Sequence, residues 1–177
     1  MYSVYGLLNL GGDVNLRDNN YGFTALHFAI LSNNIQVVQA LLERNCNVNS
    51  ASFTGMTPLH LACYYGNVNI IQLLLANGAT KEVTDNTHGR YPIHYLALAG
   101  HADSLSLLLE DNPHLASCMD KNSETPMQIA LRLGHKKFIQ AFCQIAKTDL
   151  RNFPEISQPS LYGNSLPTYF PVCLQVM

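Results

Sequence analysis

Apolar residues in this chain follow a helical spacing, and the spacing itself recurs. Val68, Ile71, Leu74 and Leu75 fall at i, i+3, i+6 and i+7, which sets them on one face of a helix. Before them, Pro58 to Tyr65 forms a shorter apolar segment closed by Gly66. The pattern predicts a short helix, a stop and a second, amphipathic helix. Thr24-Ala-Leu-His27, Thr57-Pro-Leu-His60, Tyr91-Pro-Ile-His94 and Thr125-Pro-Met-Gln128 begin 33, 34 and 34 residues apart, so the same pair of elements returns four times. Nine residues after each start stands Asn33, Gly66, Gly100 or Gly134. At 17 to 18 residues come Leu41-Leu42, Leu74-Leu75, Leu108-Leu109 and Phe142-Cys143, and two residues before each start lies Gly22, Gly55, Gly89 or Ser123.

Each mark has a physical cause. A Thr hydroxyl satisfies a free N–H at a helix start, and Pro directly after it sits where its missing donor costs nothing. The later Gly ends the helix by taking the left-handed conformation. Two helices and a turn cannot bury the apolar face alone, so successive units must stack.

The stretch Thr57-Pro-Leu-His-Leu-Ala62 through Gly66-Asn-Val-Asn-Ile-Ile-Gln-Leu-Leu-Leu-Ala-Asn-Gly-Ala79 resembles the consensus unit of the ankyrin-repeat family, and the likeness runs over roughly residues 7 to 146. It implies an all-α solenoid of stacked antiparallel helix pairs with hairpin-like turns projecting at one edge. The repeat domain then spans 1–147, as a partial unit at 1–20 followed by units at about 21–53, 54–87, 88–121 and 122–147. Three departures carry expectations. Tyr91 replaces the capping Thr, and Leu96 takes the small-residue site of Ala29, Ala62 and Ala130, so packing in the third unit should differ. Ser123 replaces the turn Gly, at a cost of ~1 to 2 kcal/mol if left-handed geometry is kept.

The ends differ from the middle. Leu7-Leu8-Asn-Leu-Gly-Gly-Asp-Val-Asn15 reads as the close of a unit whose first helix is absent: either the chain is shortened relative to a longer relative, or Met1 to Leu8 forms an improvised cap. Lys136, Lys137, Gln140, Gln144 and Lys147 suit the solvated outer face of a terminal repeat. Four prolines at 154, 159, 167 and 171 make 148–177 an irregular tail. Its four aromatics, Phe153, Tyr162, Tyr169 and Phe170, offer the alternative of folding back on the stack.

Composition narrows the function. Charged residues make up 12% of the 177, against about 25% in an average soluble domain. The net charge of −2 gives no cationic excess for a phosphate backbone or a lipid surface, so neither nucleic acid nor membrane is an expected partner. From Asn45 to Thr80 there is no Lys, Arg, Asp or Glu, yet Asn and Gln interrupt the stretch far short of the ~18 apolar residues a span needs. The N-terminus lacks a secretory pattern, and five cysteines without a C-x-x-C pair specify neither a disulfide framework nor a zinc site. A reducing compartment, cytoplasm or nucleus, is expected.

Candidate chemistry is sparse. His27, His60 and His94 recur one per unit in the first helical turn, where the resemblance implies hydrogen bonding within and between turns rather than metal ligation. Cys63 and Cys143 fall at core positions, and no nucleotide-binding or hydrolase motif occurs, so no catalytic site, metal or cofactor is expected.

What remains is surface. The resemblance implies that turn residues flanking the Gly, and the last two residues of each first helix, line a concave face that contacts partners. By position these include Tyr21, Phe23, Phe53, Met56, Tyr64, Tyr65, Arg90, Leu98 and Arg132. Aromatic residues, Met and Arg are enriched at interface cores. The expected partner is therefore a protein with an apolar or aromatic segment facing the first two units, flanked by acidic groups near Arg90 and Arg132. Asn15 and Asn49, each preceded by Val and by Leu eight residues earlier, resemble sites of asparaginyl hydroxylation in such turns, although Val-Asn also simply suits the turn. The function expected is a non-enzymatic interaction module acting as scaffold, adaptor or inhibitor. The alternative, a substrate-recognition adaptor of a ubiquitin ligase, is disfavoured by a Pro-rich tail without an amphipathic helix. Self-association through the incomplete N-terminal unit is a further expectation.

Overall fold

A computed structural model describes residues 12–149, with side chains up to residue 145 in the last helix. Four first helices, α1 (Ala25–Leu31), α3 (Pro58–Tyr65), α5 (Pro92–Ala99) and α7 (Pro126–Leu133), alternate with four second helices. The second helices are α2 (Ile35–Glu43), α4 (Val68–Ala76), α6 (Leu105–Leu109) and α8 (Lys136–Asp149). A 3-10 turn, Pro113–Ser117, follows α6. The first helices pack in series, each against the next, and the second helices lie behind them, each packed against its own partner. No strand occurs among the described residues. This is the two-layer helical stack that the period required. The expected partial unit enters the described residues only at Gly12, and the tail lies outside them.

The sequence marks act as read. Thr24, Thr57, Tyr91 and Thr125 occupy the N-cap positions in extended geometry, and Gly66, Gly100 and Gly134 close their helices in the left-handed region. Asn33 does the same at φ +53. Asn34 and Asn67 cap the second helices, their side chains accepting from Val37 N and Ile70 N at 3.1 Å. Asn thereby takes the place of the charged caps found elsewhere, which accounts for part of the charge deficit.

Two packing expectations are refined. The buried stripe of α4 is Ile70, Ile71 and Leu74, whereas Val68 and Leu75 are only half-buried. The second helix is covered both by α3 and by the neighbouring α2, so its protected face is centred one residue away from a single-helix reading. In the third unit Leu96 is wholly buried, so the larger residue is absorbed into the core. The visible departure lies downstream. Pro113 lacks an N–H and disfavours helical geometry at Asn112, α6 stops after five residues, and the 3-10 turn supplies Leu115 and Ala116 to the core instead. At the C-terminal end Phe138 and Phe142 are fully buried, while Lys136, Lys137, Gln140 and Gln144 face solvent; the Lys147 side chain lies outside the described residues.

Candidate interaction surface

The turns between units form fingers that lie against one another. Phe53 N donates to Tyr21 O at 2.9 Å, Asn86 N to Thr54 O at 2.8 Å, and Lys121 N to His88 O at 2.8 Å. Each bond draws one fingertip over the turn Gly of the finger before it. A second set of bonds fixes the helices to the same fingers. The Thr24 and Thr57 N–H groups donate to Nδ1 of His27 and His60 at 3.1 and 3.0 Å, and the Thr hydroxyls meet the same nitrogens. Nδ1 is therefore the unprotonated nitrogen, and Nε2–H donates onward to Met56 O at 3.2 Å and Arg90 O at 3.0 Å. His94 repeats the arrangement, accepting from Tyr91 N and donating to Glu124 O. In the fourth unit Gln128 takes over the cap, its Oε1 accepting from Thr125 N at 2.8 Å. The histidines thus work as bridges between units, and burial holds all three below the usual imidazole range.

On this frame Tyr21, Phe53, Tyr64 and Tyr65 are 63%, 60%, 48% and 49% exposed. The Phe53 ring rests on Gly22, where a Cβ would come within 2.7 Å of it, and leaves its other face open. Tyr64 and Tyr65 meet edge to face at 5.5 Å and 88°, and Tyr64 meets Tyr95 at 6.4 Å and 82°. Phe23, Met56 and Leu98 are only partly exposed and pack against the core. Phe23 stacks on His27 at 5.0 Å, so one of its faces is spent inside the chain.

The two arginines are not placed as expected. Arg90 is largely buried, and its Nε pairs with Asp120 Oδ2 at 3.1 Å. Arg132, still half exposed, is held by Glu124 through Nε at 2.8 Å and an NH2 group at 3.0 Å. Each guanidinium is matched by a carboxylate of this chain, so neither is a free cation awaiting an acidic group. The two causes differ. Arg90 follows the turn Gly89 and reaches Asp120 of the next finger, 30 residues on, whereas Arg132 near the end of α7 reaches back to Glu124 within its own unit.

Asp85 is the centre of a network that sequence reasoning missed. Its carboxylate accepts from His88 N at 2.6 Å, Arg90 N at 3.0 Å and Tyr95 OH at 3.1 Å. Burial alone would raise its pKa, but these hydrogen bonds outweigh it and hold Asp85 below the usual carboxylate range. Tyr95→Phe removes one donor to a buried charge. Urea unfolding should show a loss of about 2 kcal/mol; unchanged stability would mean the phenol contributes nothing.

Phe28, 46% exposed, was also missed. Its counterparts one, two and three units on, Leu61, Tyr95 and Ile129, are all buried. Tyr95 packs edge to face on His60 of the unit before it, at 5.5 Å. Aligning the four first helices would have shown that this position faces the preceding unit.

Asn15 and Asn49 act as latches. Asn15 Oδ1 accepts from Asn47 N at 2.7 Å, and Asn49 Oδ1 accepts from Thr80 N at 2.9 Å while its Nδ2 donates to Gly78 O at 3.0 Å. These bonds give the Val-Asn pattern a structural reason of its own. Cys63 is fully buried, and burial pushes its thiol up; Cys118 is pushed up to about 12 by the same cause. Neither is an activated thiolate at neutral pH. Cys143, expected in the core, is half-buried. Among the described residues no His, Cys, Asp and Glu group is placed to hold a metal ion, and no helix is long and apolar enough to cross a membrane.

Comparison with known proteins agrees with the geometry. The family model described as "Ankyrin repeats (3 copies)" matches residues 2–85 and again 80–152. A zebrafish (Danio rerio) protein named as a putative palmitoyltransferase, ZDHHC13, is 29% identical over 136 residues. The match covers 71% of this chain and only 21% of that protein, so the chain spans about a fifth of the relative's length. With matched segments extending over most of the sequence and four stacked units bridged by their own histidines, the chain belongs to the ankyrin-repeat family, whose repeats are protein-interaction modules.

Proposed function

We propose that this chain is a non-enzymatic interaction module, acting as scaffold, adaptor or inhibitor, and that it takes its partner on the concave face and fingertips of the first two full units. The observation that carries the reading is the exposure of Tyr21, Phe53, Tyr64 and Tyr65, the last three of them within the charge-free stretch from Asn45 to Thr80. Exposed apolar patches of this kind mark binding sites, and Tyr is among the residues that dominate interface energetics. Arg90 and Arg132 are already paired, so the partner needs no flanking acids. It is an uncharged apolar or aromatic protein segment, recognised by ring faces and hydroxyls. The compartment that fits such a module is cytoplasmic or nuclear.

The test is the double substitution Tyr64→Ser and Tyr65→Ser. Both side chains are half exposed at a helix end, so the fold should persist by circular dichroism. Partner affinity should fall about tenfold to a hundredfold, the effect of losing one or two interface anchors. Unchanged affinity with an intact fold would overturn the reading.

A further inference from the structure

The chain itself contains a segment of the composition that the aromatic face calls for. After Glu155 the remaining 22 residues carry no charge, and they include Pro159, Pro167 and Pro171 with Tyr162, Tyr169 and Phe170. The face offers Tyr64 and Tyr65 at 88° to each other, with Tyr95 closing the inner side of Tyr64. Tyrosines set at right angles leave a notch between ring faces. Such notches suit extended Pro-rich segments: the pyrrolidine lies flat on a ring, the stiff backbone loses little entropy on binding, and a phenol hydroxyl can donate to an exposed carbonyl. Neither surface carries a charge, so no ion pair is broken when water leaves.

Resting on the reading of this face as a docking surface, we propose that the segment around Leu166-Pro-Thr-Tyr-Phe-Pro-Val172 binds the Tyr64/Tyr65 notch of its own chain. Reach permits it. Pro167 stands 18 residues after Asp149, and a tether of that length has a mean span of about 25 Å. Asp149 lies at the far end of α8, about 20 Å along the axis from the level at which the first helices end, and the path from the fourth unit to the second adds two helix-packing steps of ~10 Å each, a span of about 28 Å in all. A tether that matches its span gives an effective concentration in the millimolar range, so a notch too weak to hold a free peptide is still occupied. The tail then works as a built-in competitor. An outside partner reaches the notch only by displacing it, and its apparent affinity is lowered by the fraction of molecules in the closed form.

The sequence contains no Trp, so Phe170→Trp in the full chain places a single indole in the tail. Docking predicts blue-shifted emission and protection from acrylamide, both independent of protein concentration and both lost when Tyr64→Ser and Tyr65→Ser are added. A red, fully quenchable emission in the first variant would overturn the inference. So would protection that survives the two serine substitutions, which would place the tail elsewhere, or protection that grows with concentration, which would place it on a second copy. The effect of the two serine substitutions on an outside partner, measured in a chain carrying Tyr169→Ser and Phe170→Ser, tests the face separately. Loss of binding there alongside an exposed indole would overturn the tail contact and leave the interaction surface standing.

Discussion

Acidification from pH 7.5 to 5.5 is expected to destabilise the stack by up to about 4 kcal/mol. His27, His60 and His94 are buried, and their pKa values lie below the ordinary ~6.5 of an unfolded chain because burial disfavours the charged ring. Nδ1 already receives N–H donors in each ring, so a proton there meets another donor instead of an acceptor. The unfolded chain therefore binds more protons than the folded one below pH ~6.5, and stability falls as pH drops through that window. Each imidazole contributes at most about 1.4 kcal/mol per pH unit, and the loss levels off once the folded rings titrate. Above pH ~7.5 the three contribute no further change. Asp85 and Asp120, held below the carboxylate range, add a second loss only as pH falls below about 4. Urea midpoints measured across the range check the slope. His60→Gln, which copies the Gln128 cap of the fourth unit, should remove about a third of it. A flat profile between pH 7.5 and 5.5 would show that the rings do not stay neutral for the reason given.

Most of the fold was legible because ankyrin units repeat their punctuation. Thr-Pro starts, glycine stops and doubled leucines give helix positions by local chemistry, and a period of 33 to 34 fixes the stacking order. What the period hid was chemistry that links one unit to the next. Arg90 reads as an exposed turn cation within its own unit; only the register across 30 residues brings Asp120 to it. Phe23 likewise looks free until His27 stacks on one of its faces, and Met56 until its side chain is seen to pack against the core. Tyr64, Tyr65, Tyr21 and Phe53 were readable as exposed because their positions, at helix ends and fingertips, project from the stack whichever unit follows.

The same distinction between local and inter-unit constraint sets the second large effect. Gly55→Ala should cost about 3 kcal/mol, whereas Gly78→Ala should cost about 1 kcal/mol, although both residues have positive φ, +78° and +84°. Left-handed geometry alone costs an L-residue ~1 to 2 kcal/mol. Around Gly78 nothing lies within 4 Å, so the new methyl enters open space. At Gly55 it would come within 2.6 Å of Asn86 N, the same N–H that donates to Thr54 O at 2.8 Å. Backbone held in a finger-to-finger bond cannot retreat without breaking it, and overpacking of this kind adds ~1 to 3 kcal/mol. Ser123 shows the rule from the other side. It keeps φ +59° at the equivalent turn, and among the described residues no later finger lies over it, so its side chain meets no such backbone. Ser123→Gly should therefore relieve strain alone, gaining no more than about 1 kcal/mol once the greater unfolded-chain entropy of Gly is set against it. Chemical unfolding of the three variants checks the order. Equal losses at Gly55 and Gly78 would mean that the fingers move apart freely and that the ladder does not fix the spacing of the units.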